Sequence, residues 1–294
     1  MNKKYLSVIF SMVIFISFTE ARVTCKSLSS CDEACLALAN GHTALDRDKD
    51  GIPCESLCSS PCNFKKSIAI PKKEIEVKKS SYSTGKILLN KFFTKKNCDQ
   101  ILDNGGYFKT CYNYKMKGAN FVSYTLDKNN VDKGNIKKRP QFYEDKNIPK
   151  QYRSHPKDYT KNRYKNDRGH LAPDAAFDSS QRSLKSVYVM SNIIPQHNTI
   201  NRSAKAWKGL EKFTRVLTRK LGKINILNGV EYGVKPNRIG RNQIAVPKAF
   251  WKILYNDKKK YQRCFYFENK PKDKTKKISD YEVDCKKLIR DSLR

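Results

Sequence analysis

Histidine is scarce in this chain of 294 residues: only His42, His155, His170 and His197 occur, so the choice of a general base is narrow from the outset. Acidic side chains are also few, with 28 Asp and Glu against 60 Lys and Arg. Past the N-terminal leader region no segment is apolar enough to cross a bilayer, which takes roughly 20 such residues. No glycine-rich phosphate loop follows a strand-like stretch, which argues against a doubly wound nucleotide-binding sheet. No long-period repeat is present, so a solenoid is excluded.

What is abundant is positive charge. A net charge of +32 favours a polyanionic partner, nucleic acid or an anionic surface. Hydrophobic residues make up 38% and charged residues 30%, a balance that permits folding but limits any single apolar interior. Lys3 and Lys4 precede an almost wholly apolar stretch at 6–18, and Thr19-Glu20-Ala21 places small residues where a signal peptidase reads. This pattern predicts a secretory signal peptide over 1–21, cleaved after Ala21. The apolar run of 13 residues is short for a membrane anchor, and no lipidation box precedes Cys25. Export makes the 10 cysteines intelligible as disulfides. Six of them (Cys25, Cys31, Cys35, Cys54, Cys58 and Cys62) crowd into one short segment. Cys98–Cys111 and Cys264–Cys285 are the local pairings among the other four, although spacing alone does not fix connectivity.

Composition divides the chain. Residues 22–62 hold six acidic and four basic side chains, so the positive charge lies almost entirely in 63–294. Residues 63–90 are rich in Lys and Ser and read as a linker; the alternation of Ile68, Ile70, Ile75 and Val77 leaves a strand pair as the alternative. From 91 to 294 the pattern is mixed. Strands are expected at 117–126, 187–190, 224–227 and 243–246, with 249–255 continuing the core. An amphipathic helix is expected at 204–221, with Trp207, Leu210, Phe213, Val216 and Leu217 on one side. Strands and helices do not alternate regularly, so the class is α+β.

In the acidic segment, Asp46, Asp48 and Asp50 occupy positions 1, 3 and 5 of a calcium-type loop, Gly51 allows the sharp turn, and Ile52 can offer its carbonyl. An EF-hand would carry its bidentate Glu at position 12; here Leu57 stands there and Glu55 stands at position 10, so the loop is shortened. With Cys54, these residues resemble the Excalibur module of bacterial exported proteins, Asp-x-Asp-x-Asp-Gly-x-x-Cys-Glu. The resemblance implies extracellular Ca²⁺ binding by Asp46, Asp48, Asp50, Ile52 and Glu55, with an affinity of about 10⁻⁴–10⁻³ M.

The basic segment carries Asp167-Arg168-Gly169-His170. Phosphodiester cleavage needs a base, a cation against phosphate charge, and stabilisation of the leaving oxygen. His170 is the candidate base, because an imidazole in a basic field tends to stay neutral. Arg168 can contact phosphate or hold the loop, and Gly169 lets the backbone turn. A second run, Met190-Ser191-Asn192-Ile193-Ile194-Pro195-Gln196-His197-Asn198-Thr199-Ile200-Asn201, leads to the Trp207 helix. One amide oxygen from Asn201 can suffice for Mg²⁺, which keeps several waters. Glu211 could hold a metal-bound water, and Arg215, four residues on, shares its helix face and could meet phosphate. His155 and His197 are not assigned catalytic roles.

These residues resemble the DNA/RNA non-specific endonucleases, secreted nucleases with a ββα-metal (His-Me finger) core. The matching stretch runs from Arg139 to Arg215, with weaker similarity at Ile226-Leu227-Asn228-Gly229 and Val246-Pro247-Lys248-Ala249-Phe250-Trp251-Lys252. The resemblance implies His170 as general base, Asn201 as direct Mg²⁺ ligand (Mn²⁺ being a possible substitute), Glu211 as a ligand through water, and Arg215 and Arg139 on phosphate. It further implies cleavage of DNA and RNA to 5′-phosphate products by a secreted, periplasmic or surface-associated bacterial enzyme. The family places its Trp and Glu four and eight residues after the metal Asn; here Trp207 and Glu211 lie six and ten after Asn201. A continuous helix would swing Glu211 by about 200° from Asn201. Arg202-Ser203 are therefore expected as an insertion at the helix start, with Asn198 as an alternative ligand. The rival reading is a catalytically inactive exported nucleic-acid-binding or DNA-uptake protein.

Overall fold

The computed structural model describes residues 23–28, 30–39, 42–48, 50–62, 85–134, 136–160 and 162–293. The expected signal peptide and most of the expected linker lie outside these residues. The chain divides into two compact units, Met1–Ser80 and Ser81–Arg294.

Among its described residues the first unit holds one regular helix, α1 (Cys31–Ala39), and little else that is regular. Its buried interior is Ala34, Cys35, Leu45, Cys54 and Cys58, too small to sustain a fold by burial alone. Three disulfides, Cys25–Cys54, Cys31–Cys58 and Cys35–Cys62, hold the segment together instead. The first and third bracket the acidic loop, and Cys62 N–H also donates to the Gly51 carbonyl at 2.7 Å.

The second unit opens with helix α2 (Gly85–Phe92), which occupies the end of the stretch read as linker and buries Leu88 and Phe92. A seven-stranded antiparallel sheet follows. Its strands are β1 (Gln100–Asp103), β2 (Phe108–Asn113), β3 (Gly118–Asp127), β6 (Lys223–Glu231), β9 (Ala249–Asn256), β10 (Tyr261–Glu268) and β11 (Glu282–Val283), hydrogen-bonded in that order. A short hairpin pairs β4 (Asn166–His170) with β5 (Ile193–His197), and a second pairs β7 (Arg238–Ile239) with β8 (Ile244–Ala245). The helices are α3 (Gln181–Ser186), α4 (Asn198–Asn201), α5 (Trp207–Leu221) and α6 (Cys285–Asp291).

Both faces of the large sheet are covered, which explains why its strands read as nearly continuous apolar runs. Successive residues serve opposite cores: Val122, Ile226, Phe250 and Leu254 pack with Trp207, Leu210 and Leu217 of α5, while Phe121, Leu227, Trp251 and Ile253 pack with α2 and α6. Cys98–Cys111 and Cys264–Cys285 are bonded, as their local spacing suggested, and both lie in the second core. The expected strand at 187–190 is absent. Val187, Tyr188, Val189 and Met190 are all buried, but they lead into a 3₁₀ turn at Met190–Asn192, and only Val189 makes a bridge, to Tyr143. An unbroken apolar run reports burial, not backbone period.

Candidate active site

The two halves of the site are the β4–β5 hairpin and the N-terminal turn of α5. Residues past His170 are fixed by buried amides. Asn192, fully buried, accepts from Ala172 N–H at 2.9 Å and donates to the carbonyls of Ala172 (2.9 Å) and Val187 (2.8 Å). Asn228 of β6 donates to the Leu171 carbonyl at 3.0 Å. The asparagines of both matched motifs thus hold the loop that follows the histidine. Gly169 is needed for a reason other than a turn: it lies within β4, and a Cβ there would meet the Gln196 side chain at 2.2 Å.

His170 sits in an aromatic corner. The ring of Phe142 lies 5.4 Å away and that of Tyr188 lies 5.0 Å away, edge-on. Its Nε2 is shielded from solvent and lacks a hydrogen-bond partner among the described residues. Burial pulls the imidazole down to about 4; Asp174 pushes the other way and Arg139 reinforces the drop. At neutral pH His170 is therefore uncharged and able to accept a proton. Asp174 accepts from the Tyr188 hydroxyl at 3.0 Å and faces Arg139 Nε at 3.4 Å. Arg139 also reaches Asp178 at 3.7 Å. These ion pairs are long and partly open to water, so a phosphate oxygen could exchange for either carboxylate.

Glu211 feels the same carboxylate. Burial raises it to about 7; Lys252 opposes, Asp174 adds to the rise, and Arg215 and a bond from Trp207 lower it. Lys252, fully buried, is pulled down to about 8 by burial, with Glu211 opposing. Its ammonium lies 4.4 Å from the centre of the Trp207 ring and 3.3 Å from the Tyr124 hydroxyl. Trp207 Nε1–H in turn donates to the His170 carbonyl at 3.3 Å. The start of α5 and the end of β4 are thereby tied together.

The displacement between Asn201 and Glu211 has a structural explanation. No continuous helix joins them: α4 ends at Asn201, residues 202–206 form turns, and α5 begins at Trp207. The extra residues are absorbed in that break, so the 200° swing does not arise. Asn201 Nδ2 donates to Asp167 Oδ2 at 2.9 Å, and Arg202 clamps the same carboxylate at 2.6 and 2.8 Å. An ionised carboxylate only accepts, so this bond assigns the amide's orientation and turns Asn201 Oδ1 away, available to a cation. An amide oxygen is a ligand type that suits a hard divalent ion, while Asp167, the carboxylate against the amide nitrogen, is already paired with Arg202. Asn198 Oδ1 is buried and lacks a partner among the described residues.

Two expected site residues are engaged elsewhere. Arg168 donates to the Pro156 carbonyl at 2.9 and 3.2 Å and faces the rings of Phe142 and Tyr159, so it holds the loop. Arg215 pairs with Asp132 at 3.1 Å and acts on Glu211 only through its field. Asp174, Tyr188, Phe142 and Lys252 were not anticipated. Asp174, four residues beyond His170, was the one within reach of a local reading.

In the first unit, oxygens of Asp46, Asp48 and Asp50 lie within 4.8 Å of one another. Asp46 Oδ1 is buried without a partner, while Oδ2 accepts from Gly51 N–H at 3.0 Å. Asp50 accepts from Ile52 N–H at 2.8 Å, and Gly51 takes the positive φ of 86° that closes the turn. Glu55 is exposed and stands outside the trio. The residues fit a calcium-type loop.

Comparison with known proteins matches both parts of the chain. Residues 22–55 match the Excalibur calcium-binding domain. Mitochondrial endonuclease G of Bos taurus is 28% identical over 195 residues, covering 62% of this chain and 64% of that protein. The mitochondrial nuclease of Saccharomyces cerevisiae is 28% identical over 211 residues, 64% of this chain and 63% of its own length. A nuclease of a Nostoc species is 29% identical over 163 residues, 55% and 56% of the two chains. This chain thus spans less than two thirds of the length of these relatives. A crystal structure of an EndoG/EndoGI complex superposes with a TM-score of 0.59 at 24% identity, over 65% of this chain and 83% of that one, and shares the fold. The DNA/RNA non-specific endonuclease model spans residues 84–291, and the chain belongs to that family.

Proposed function

We propose that the chain is a secreted, Mg²⁺-dependent, sugar-non-specific endonuclease. In this reading the nuclease domain spans 91–294 and the calcium-binding module 22–62. The observation that carries it is His170: a neutral imidazole with an unpartnered Nε2, beside an arginine held only by long ion pairs.

Asn201 Oδ1 would hold Mg²⁺ directly, and Glu211 through a water. When bound, such a cation supplies charge neutralisation on the phosphate and stabilises the leaving oxygen. His170 accepts the proton of the attacking water. Arg139 leaves Asp174 and Asp178 for a phosphate oxygen. Asp174, thus released, faces the imidazolium that forms and stabilises it. The products carry 5′-phosphates. Tolerance of DNA and RNA follows if affinity comes from phosphate contacts, which carry no base information and suit a charge of +32. Ca²⁺ belongs to the Asp46, Asp48 and Asp50 loop, with the Ile52 carbonyl and Glu55 completing it, and the module could associate the enzyme with a cell surface.

The test is cleavage of plasmid DNA and of RNA by the purified protein with Mg²⁺ and with EDTA, beside His170→Ala. A loss of about 10²–10⁴-fold in His170→Ala is expected, with complete dependence on the metal. Nucleic-acid binding without metal-dependent cleavage would leave the inactive-receptor reading in place.

A further inference from the structure

The wall behind His170 has a second side. Phe142 and Tyr188 face the imidazole; the next residues, Tyr143 and Val189, form a bridge and line a separate cavity of about 760 Å³. That volume falls within the roughly 300–1,000 Å³ of small-molecule sites. The β1–β2 turn and α3 close its other sides, contributing Tyr107, Arg182 and Lys185.

The lining differs from the rest of this basic molecule. It contains the carboxylates Asp103, Glu144 and Asp145, and each is engaged. Asp103 accepts from Gly106 N–H at 2.7 Å, and Asp145 from the Ser191 hydroxyl at 2.6 Å. Glu144 lies 3.9 Å from both Arg153 and His155. Arg182 and Lys185, in contrast, are exposed and have no carboxylate partner among the described residues. Tyr143 is 37% exposed, one of few large apolar side chains left open to solvent. A track for duplex phosphates would be uniformly cationic. Two tyrosines, Tyr107 and Tyr143, and the cations Lys146, Arg182 and Lys185, beside carboxylates that are each held by a donor, fit a single nucleotide with an accessible π-face.

We propose that this cavity is a subsite for one unpaired nucleotide of the bound strand, across the Phe142–Tyr188 wall from His170, its base stacked on Tyr143 and its phosphate held by Arg182 and Lys185. The proposal rests on the nuclease reading and adds a preference to it: the subsite favours single strands, because a paired base keeps its faces inside the duplex stack.

The test measures binding of a labelled single-stranded oligonucleotide, and of a duplex of equal length, to the full chain carrying His170→Ala. Adding Tyr143→Ala should weaken the single strand by about five- to a hundredfold and the duplex by less than twofold. Tyr143→Phe should restore the single strand. Arg182→Ala with Lys185→Ala should lower the salt dependence of single-strand binding by one to two phosphate equivalents. The bridge bonds of Tyr143 are backbone bonds, to Tyr188 O at 3.2 Å and from Met190 N at 2.8 Å, so the alanine variant keeps them. Equal weakening of both ligands, or no weakening of the single strand, overturns the subsite. If the parent binds neither ligand, the nuclease reading itself fails.

Discussion

The two units solve the same problem, holding polar loops rigid, by different means. The acidic loop of the first unit rests on five buried residues, three of them half-cystines. The loop that follows His170 in the second rests on a large sheet, with fully buried asparagines bonding its backbone. Both disulfides of the second unit lie on the far core, packed with α2 and α6, and not on the face that carries His170. Covalent bonds substitute for an interior where the segment is too short to have one; where an interior exists, amide bonds set the loop and the disulfides sit in the opposite core.

Reduction should break this comparison most visibly. Disulfides with separations of 27–29 residues each contribute about 3–4 kcal/mol by constraining the unfolded chain, and the first unit has little else. Limited proteolysis of the full chain under reductant should cut residues 23–62 early while β3, β6 and β9 stay protected. Loss of both units together would show that the far core depends on its disulfides as well. The next test exchanges the roles. Asn192→Ala strands one buried N–H and two carbonyls, costing about 3 kcal/mol or more, and should lower both the melting temperature and the cleavage rate. Asp46→Ala should abolish Ca²⁺ binding by calorimetry and leave the melting of the nuclease unit where it was.

A third test is proton-linked and belongs to the aromatic wall at His170. Burial holds His170 at about 4, below its ordinary 6.5. Between those values the unfolded chain binds a proton that the native protein does not. Stability from this group therefore rises with pH across that window and is level on either side. Urea unfolding from pH 4 to 6.5 should show the wild type gaining on the order of 2–3 kcal/mol relative to His170→Gln. Parallel curves would mean that His170 is not held neutral.

Legibility followed the range of the interaction. The calcium-type loop, the Asp-Arg-Gly-His run and the two local cystine pairs could be read because their parts are close in sequence. The strand at 117–126 and the helix at 204–221 came through because their periods are strong, although the helix starts three residues later than expected, at Trp207. The hairpin of β4 and β5 was not foreseen, since its partners are separated by the long 171–192 segment and Pro195 discourages a strand reading. Tyr188 and Lys252 escaped notice for the same reason: one sits in an apolar run, the other between Trp251 and Ile253, and only the fold brings them to His170 and Trp207. Gly169 was legible as necessary but not as to why, because the obstructing Gln196 lies across the hairpin.

Arg168 gives the smallest effect and the sharpest distinction between a residue that binds and one that holds. Its position beside His170 admits either role. The structure turns its guanidinium onto the Pro156 carbonyl and against two aromatic rings, so it fastens the 156–159 turn to β4. A residue in that position contributes about 1 kcal/mol of stability, through a charge-assisted bond and partial ring contact. Arg168→Ala should therefore lower the unfolding free energy by about that amount and reduce cleavage modestly, through a looser His170 loop. The dependence of substrate binding on salt should not change, because no phosphate contact has been lost. A phosphate-binding arginine would behave otherwise: its removal lowers the slope of log K against log salt by about one. Measuring that slope for Arg168→Ala beside Arg139→Ala decides the matter, with the slope falling for Arg139 and holding for Arg168.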